Sequence, residues 1–159
     1  TLSLRSDAFT DQQQIPVRYT GDGADVSPPL AWDAVPAGTR EFALLCDDPD
    51  APTPQPWVHW VLYNLPADCR SLPEGLSGAA SLLAASGARQ GRNSWTSGQV
   101  IGYRGPAPPR GHGRHHYHFR LIALDAPLKL RMGVSAVELQ RAMQGHILET
   151  GELVGLYSR

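Results

Sequence analysis

The sequence lacks an excess of charge of either sign. Its 159 residues carry 14 lysines and arginines against 15 aspartates and glutamates, a formal net charge of −1. Nucleic-acid-binding proteins usually present a broad basic surface, so we expect no nucleic-acid partner. No apolar run approaches the roughly 20 residues that span a bilayer, and the first residues, TLSLRSDAF, lack a signal-peptide core. We expect a cytoplasmic protein, or a periplasmic one if a signal peptide was removed before Thr1.

Cysteine and catalytic motifs are also scarce. Cys46 and Cys69 are the two cysteines, too few for a disulfide framework and not spaced as a metal-binding pair. We interpret them as free thiols. The sequence has neither the G-x-S-x-G motif of serine hydrolases nor the H-E-x-x-H motif of zinc peptidases. These absences predict a protein that is not an enzyme and that needs no metal or cofactor.

Long helical patterns are missing from most of the chain, because 14 prolines and 16 glycines interrupt them. We therefore predict one mainly β domain over residues 1–159. Strands are expected over residues 2–9, 16–19, 40–46, 57–65, 115–124 and 152–157. Residues 67–102 are interpreted mostly as loop, with a brief helix within 79–88. Two closely spaced prolines make Ala51–Pro52 a candidate cis peptide.

A single helix is predicted near the C-terminus. Ser135 and Glu138 have the spacing of a capping box. The apolar stripe that follows, with three- and four-residue spacing, can cover one face of a sheet. Its members are Ala136, Leu139, Met143 and Ile147.

Three of the expected strands have polar residues at their ends. In residues 115–124, His115 and Tyr117 continue the face of the apolar residues that follow, and by the same alternation Asp48 continues the face of Cys46. His59 has the parity of its neighbours Trp57, Val61 and Tyr63. Polar groups at the ends of apolar strands favour a shared pocket.

The donors in this set suggest an anion as the ligand. Imidazoles, the phenol of Tyr117 and the amides of the glycine- and proline-rich loop 105–113 are all hydrogen-bond donors, and phosphate is the natural candidate. Asp48 can either hold an imidazole in one tautomer or receive the ammonium of a zwitterionic head group. We expect anion binding to depend on His59, His115 and Tyr117 and to weaken as pH rises through the histidine range.

A metal site is the competing interpretation. Four histidines, His112, His115, His116 and His118, fall within seven positions. However, the alternation that brings His116 and His118 together points them away from His115 and Tyr117. A metal-dependent or cryptic hydrolase therefore stays a further alternative, and His112, His116 and His118 receive no role.

Several motifs resemble the phosphatidylethanolamine-binding protein (PEBP) family, in its bacterial Raf-kinase-inhibitor-like branch. They are CDDPDAP at 46–52, WVHW at 57–60 and PPRGHGRHHY at 108–117, joined by GADVSPPL at 23–30 and GELVG at 151–155. The resemblance covers nearly the whole chain. It implies a sandwich of two antiparallel β-sheets with a short C-terminal helix, long ordered loops and an anion pocket.

The resemblance also implies roles for nine residues. Asp48 corresponds to the pocket acid, with Asp50 and Pro52 shaping its loop; His59, His115 and Tyr117 are the pocket histidines and tyrosine; Trp57, Pro108 and Pro109 line the mouth. The chain departs from the animal members at His116, where they carry arginine, and at Ala107, where a glycine often precedes the proline pair. It also lacks their longer C-terminal helical extension.

We therefore expect a non-enzymatic protein that binds small anions or phosphorylated head groups. The alternative is a protein-interaction module that inhibits a kinase or a protease, with the pocket as a regulatory input. Either function is compatible with a homodimer.

Overall fold

The computed structural model describes residues 1–82, 85 and 87–159. In this part of the chain, ten strands form two sheets, with one α-helix. The strands are β1 (Ser3–Arg5), β2 (Gln13–Gln14), β3 (Leu30–Asp33), β4 (Glu41–Asp48), β5 (Trp57–Pro66), β6 (Ser71–Leu72), β7 (Ser81–Leu82), β8 (Ala88–Gln90), β9 (His115–Leu124) and β10 (Ile147–Tyr157). The helix is α1 (Ala136–Met143).

The small sheet has the order β1-β3-β6, and the large sheet has the order β2-β10-β9-β4-β5-β8-β7. Neighbouring strands are antiparallel, except that β2 pairs with β10 in parallel. The main core lies between the sheets, where Trp32 of β3 packs on Phe42 of β4 with ring centroids 5.6 Å apart. The predicted sandwich is therefore confirmed.

Helix α1 covers the other face of the large sheet. Ser135 accepts a hydrogen bond from the Glu138 amide at 3.2 Å, and the Glu138 carboxylate accepts one from the Ser135 amide, which completes the predicted capping box. Leu139 and Met143 are buried in a second apolar cluster on this face. Ile147 is not part of the helix, because Gln144 leaves the helical conformation with ψ 128. It begins β10 and is half exposed.

Two predictions about the first half of the chain are wrong. Residues 16–19 do not form a strand, because Pro16 precedes a 3-10 turn, Val17–Tyr19. The Thr20 hydroxyl donates a hydrogen bond to the Val17 carbonyl at the end of this turn. The short strand lies earlier, at β2. The described peptide bonds are all trans, Ala51–Pro52 included. The chain reverses there through the Asp48 carboxylate, which accepts the Asp50 amide at 2.8 Å, so no cis bond is required.

Residues 79–88 were predicted as loop with a brief helix. Instead, β7 and β8 pair as antiparallel strands at the edge of the large sheet. Residues 83, 84 and 86 of this segment lie outside the described residues. Cys46 is buried and Cys69 half-buried, and both are free thiols, as predicted.

The sheet order places three strand ends together. Strand β4 lies between β5 and β9 and is antiparallel to both. Its last residues therefore lie beside the first residues of its two neighbours, as the pairs Asp48 with Trp57 and Asp47 with His118 show.

Candidate functional site

A cavity of about 240 Å³ opens at this end of the large sheet. Eight of the nine residues predicted for the site line it: Asp48, Pro52, Trp57, His59, Pro108, Pro109, His115 and Tyr117. The ninth, Asp50, lies outside the cavity. Four residues that the sequence did not indicate complete the wall: Ala51, Thr53, Trp95 and Ala107.

Asp48 and His115 form a buried pair at the floor of the cavity, with 3% and 1% of their surfaces exposed. The Asp48 Oδ2 atom lies 2.6 Å from Nδ1 of His115, and its Oδ1 atom accepts the Asp50 amide. A carboxylate only accepts hydrogen bonds, so His115 donates through Nδ1. Each Asp48 oxygen thus accepts one hydrogen bond. Asp48 therefore holds His115 in the tautomer that is protonated at Nδ1. This is the role of orienting an imidazole that the sequence suggested for Asp48.

The other ring nitrogen of His115 contacts a third histidine. Nε2 of His115 lies 2.6 Å from Nδ1 of His112, whose side chain is exposed. Gly111 and Gly113 flank His112 with φ of +75 and +88, and open space surrounds the position of a Cβ at each. His112 is thus held on a turn that favours glycine on both sides.

His59 reaches the cavity through a β-bulge. Along β4 and β5, Cys46 pairs with Trp60 and Asp47 pairs with Val58, so His59 is an extra residue in β5. A bulge of this kind reverses the alternation of side chains beyond it. The prediction that His59 shares a face with Val61 and Tyr63 is therefore wrong.

The two sides of the bulge have different environments. Val61 and Tyr63 belong to the cluster under α1. His59 instead packs at the cavity end of the inter-sheet core, with its ring centroid 5.1 Å from that of Tyr117. Without the bulge, His59 would face the helix.

His59 is neutral near pH 7 and not a charged donor. Its Nδ1 atom lies 2.6 Å from the carbonyl oxygen of Arg104; since a carbonyl only accepts, Nδ1 carries the proton. The side chain is 3% exposed, and burial lowers the pKa of His59 to about 4. Nε2 has no hydrogen-bond partner among the described residues and is an acceptor. This corrects the expectation that a protonated His59 donates to the anion.

Tyr117 offers its hydroxyl as a hydrogen-bond donor in the cavity wall. It is 1% exposed and lies between His59 and His115, stacking on the latter at 6.4 Å between ring centroids. Burial, and secondarily the charge of Asp48, raise the pKa of Tyr117 far above its ordinary value. The phenol is therefore neutral at every physiological pH. Within the described residues, its hydroxyl makes no hydrogen bond.

Aromatic rings form the mouth of the cavity. Trp57 and Trp95 meet edge to face with centroids 5.4 Å apart, and Trp95 also contacts the His59 ring at 5.1 Å. The guanidinium of Arg104 lies over Trp95, 4.6 Å from the ring centre. No sequence pattern indicates Trp95, because it lies in an irregular loop and only the folded chain brings it to the pocket.

Asp50 anchors the loop beside the cavity. Its carboxylate accepts hydrogen bonds from the His116 amide at 2.8 Å and from the His116 ring at 2.7 Å. Burial alone would raise the pKa of Asp50, but the hydrogen bonds from His116 lower it below the ordinary value.

His116 and His118 lie on the opposite face of β9 from His115. His118 is 3.3 Å from the Glu152 carboxylate, so the two histidines have different acidic neighbours. Across the described ranges, no group of three or more histidine, cysteine, aspartate or glutamate side chains has the geometry of a metal site.

Comparison with known families agrees with this geometry, because the family model described as phosphatidylethanolamine-binding protein matches residues 5–158. The chain belongs to the PEBP family. It is 48% identical over 158 residues to the UPF0098 protein of Methanothermobacter thermautotrophicus, covering 99% of both chains.

Two solved PEBP structures are similar over nearly the full length. YbcL of E. coli, described as a new member of the mammalian PEBP family, is 30% identical, with a TM-score of 0.90 over 99% of this chain and 98% of that one. A PEBP homologue of Chlamydia trachomatis is 36% identical, with a TM-score of 0.87 over 100% of this chain and 98% of that one. In the residues described, no helix has the length and apolar character needed to cross a membrane.

Proposed function

We propose that this PEBP is a non-enzymatic binding protein for small phosphorylated compounds. The observation that carries the proposal is the hydroxyl of Tyr117, which has no hydrogen-bond partner among the described residues and belongs to a cavity-lining side chain flanked by His59 and His115. This hydroxyl is free to donate to a ligand oxygen.

The size of the cavity favours a head group over a whole lipid. Its volume of about 240 Å³ is below the roughly 300–1,000 Å³ of sites for drug-sized ligands. A phosphate with a short substituent fits such a space, and acyl chains would have to lie outside it. The aromatic mouth of Trp57 and Trp95 suits the short substituent.

The lining chemistry supports binding over catalysis. Thr53 carries the other hydroxyl among the lining residues, and it donates to the Gln55 carbonyl at 2.6 Å. Asp48 and His115 form the base half of a hydrolytic triad. The residue that contacts Nε2 of His115, where a triad has its nucleophile, is His112. The residues that line the cavity include no serine or cysteine.

Thermal-shift measurements test the proposal, because a ligand that binds only the folded protein raises its melting temperature. Inorganic phosphate and phosphoethanolamine should each raise it. In Tyr117→Phe, the affinity measured by titration calorimetry should fall by about 0.5–1.5 kcal/mol, the value of one neutral hydrogen bond. Tyr63→Phe, which removes a hydroxyl bonded to Arg131 on the helix side of the sheet, should bind as the wild type does.

The result that would overturn the proposal is a melting temperature unchanged by any phosphorylated compound at millimolar concentration. The alternative, an interaction module that inhibits a kinase or a protease, would then become the working hypothesis.

A further inference from the structure

The cavity offers an acceptor beside its donor. His59 donates Nδ1–H to the Arg104 carbonyl, which leaves Nε2 as a lone pair on a side chain that lines the cavity. The ring of Tyr117 packs against His59, and its hydroxyl also has no hydrogen-bond partner in the described structure. A ligand that satisfies both groups must accept one hydrogen bond and donate another.

In the described structure, no side chain accepts a hydrogen bond from Nε2 of His59. Burial lowers the pKa of His59 by more than the backbone hydrogen bonds of Arg104 and Gly105 raise it. The charged and titratable groups that face it are Tyr117 and His115 from β9, Asp48 from β4, and Arg104, whose guanidinium stacks over Trp95. Asp48 is the acid of this set, and it accepts from His115 and from the Asp50 amide but not from His59. His59 therefore has a carbonyl for a partner and aromatic rings for neighbours, both of which favour the uncharged ring.

We propose that the pocket selects oxyanions that carry a proton of their own, namely hydrogen phosphate and singly ionised phosphomonoesters. This specificity rests on the function proposed above. The P–O–H group donates to Nε2 of His59, and another phosphate oxygen accepts from the Tyr117 hydroxyl. Sulfate, which has no proton at neutral pH, places an oxygen lone pair against the lone pair of Nε2.

The same arrangement sets the pH dependence of binding. A phosphomonoester has a second pKa near 6, so its affinity should fall as pH rises through that value. Inorganic phosphate keeps one P–O–H group even as the dianion, so its affinity should show no such fall between pH 5 and 8.5. If a histidine of the protein were the titrating group, both ligands would lose affinity at the same pH.

Titration calorimetry with methyl phosphate, inorganic phosphate and sulfate at constant ionic strength, between pH 5 and 8.5, provides the test. At pH 5 we expect sulfate to bind about 10- to 100-fold more weakly than either phosphate, because sulfate cannot donate to Nε2 of His59 and sets a lone pair against it. In His59→Gln, whose amide can turn to donate or accept, the preference should shrink to less than about threefold.

The outcomes separate this inference from the proposed function. Equal affinity for sulfate and phosphate, or sulfate affinity that rises towards acidic pH, would overturn the specificity and leave phosphate binding intact. Failure of all three anions to bind wild type would overturn both. The comparison of ligands on wild type decides the matter even if His59→Gln does not fold.

Discussion

Acidification should destabilise this protein through His59, in a direction fixed by its buried, neutral ring. The unfolded chain has a histidine pKa near 6.5, and the folded protein has a His59 pKa of about 4. Between these values the unfolded state binds a proton that the folded state does not. The free energy of unfolding therefore rises with pH in this window. The contribution is complete above about pH 6.5 and is lost as pH falls towards 4.

The pKa difference converts directly into stability. Each pKa unit corresponds to about 1.4 kcal/mol, so the whole window is worth about 3 kcal/mol. With 3% of its surface exposed, His59 has little solvent screening to reduce this value. Such a loss is a large part of the roughly 5–15 kcal/mol that stabilises an ordinary domain.

Urea unfolding at pH 7, 6, 5 and 4.5 measures the effect, with wild type compared against His59→Gln. Carboxylates titrate in both proteins, so the difference between the two curves isolates His59. The stability of wild type relative to the variant should fall by about 2–3 kcal/mol between pH 7 and 4.5. His146→Gln, which changes an exposed histidine bonded to Asp125, serves as the control and should show no comparable divergence.

Parallel pH curves for wild type and His59→Gln would refute the reasoning. They would mean that His59 binds its proton equally well in the folded and unfolded states. Nitrogen-15 NMR of the histidine rings gives an independent check, because the folded protein should show His59 protonated at Nδ1 alone at pH 6.

Two further predictions concern His112 and the helix cap. In His112→Ala, Nε2 of His115 loses the ring nitrogen that it contacts and becomes free to accept from a P–O–H group, so phosphate affinity measured by calorimetry should rise about 2- to 10-fold; equal or weaker binding would show that His112 does not compete with the ligand for this acceptor. Ser135→Ala removes the N-cap of α1 and should cost about 1 kcal/mol in urea unfolding. Val137→Ala, at an exposed position of the same helix, should cost less than about 0.5 kcal/mol, and equal losses in the two variants would argue against the cap.

Much of the site was predictable where alternation is regular. Strand β9 keeps its two-residue period throughout, so His115 and Tyr117 lie where the pattern placed them. The capping box was equally predictable, because its hydrogen bonds are local. His59 was not, because a bulge is a property of two paired strands and the sequence of β5 alone does not show it. Trp95 reaches the cavity through loop packing, which has no sequence period.

The protonation of the site depends on contacts that residue type does not specify. His59 and His115 both donate Nδ1–H to an oxygen and both line the cavity. However, the oxygen belongs to a backbone carbonyl in one case and to the Asp48 carboxylate in the other. A carboxylate can balance positive charge on the ring, and a carbonyl cannot. Two histidines that a sequence pattern treats alike can therefore offer a ligand different chemistry, with His59 an obligatory acceptor near neutral pH. Whether the pocket prefers hydrogen phosphate to sulfate thus depends on the partner behind His59, which the bulge in β5 sets.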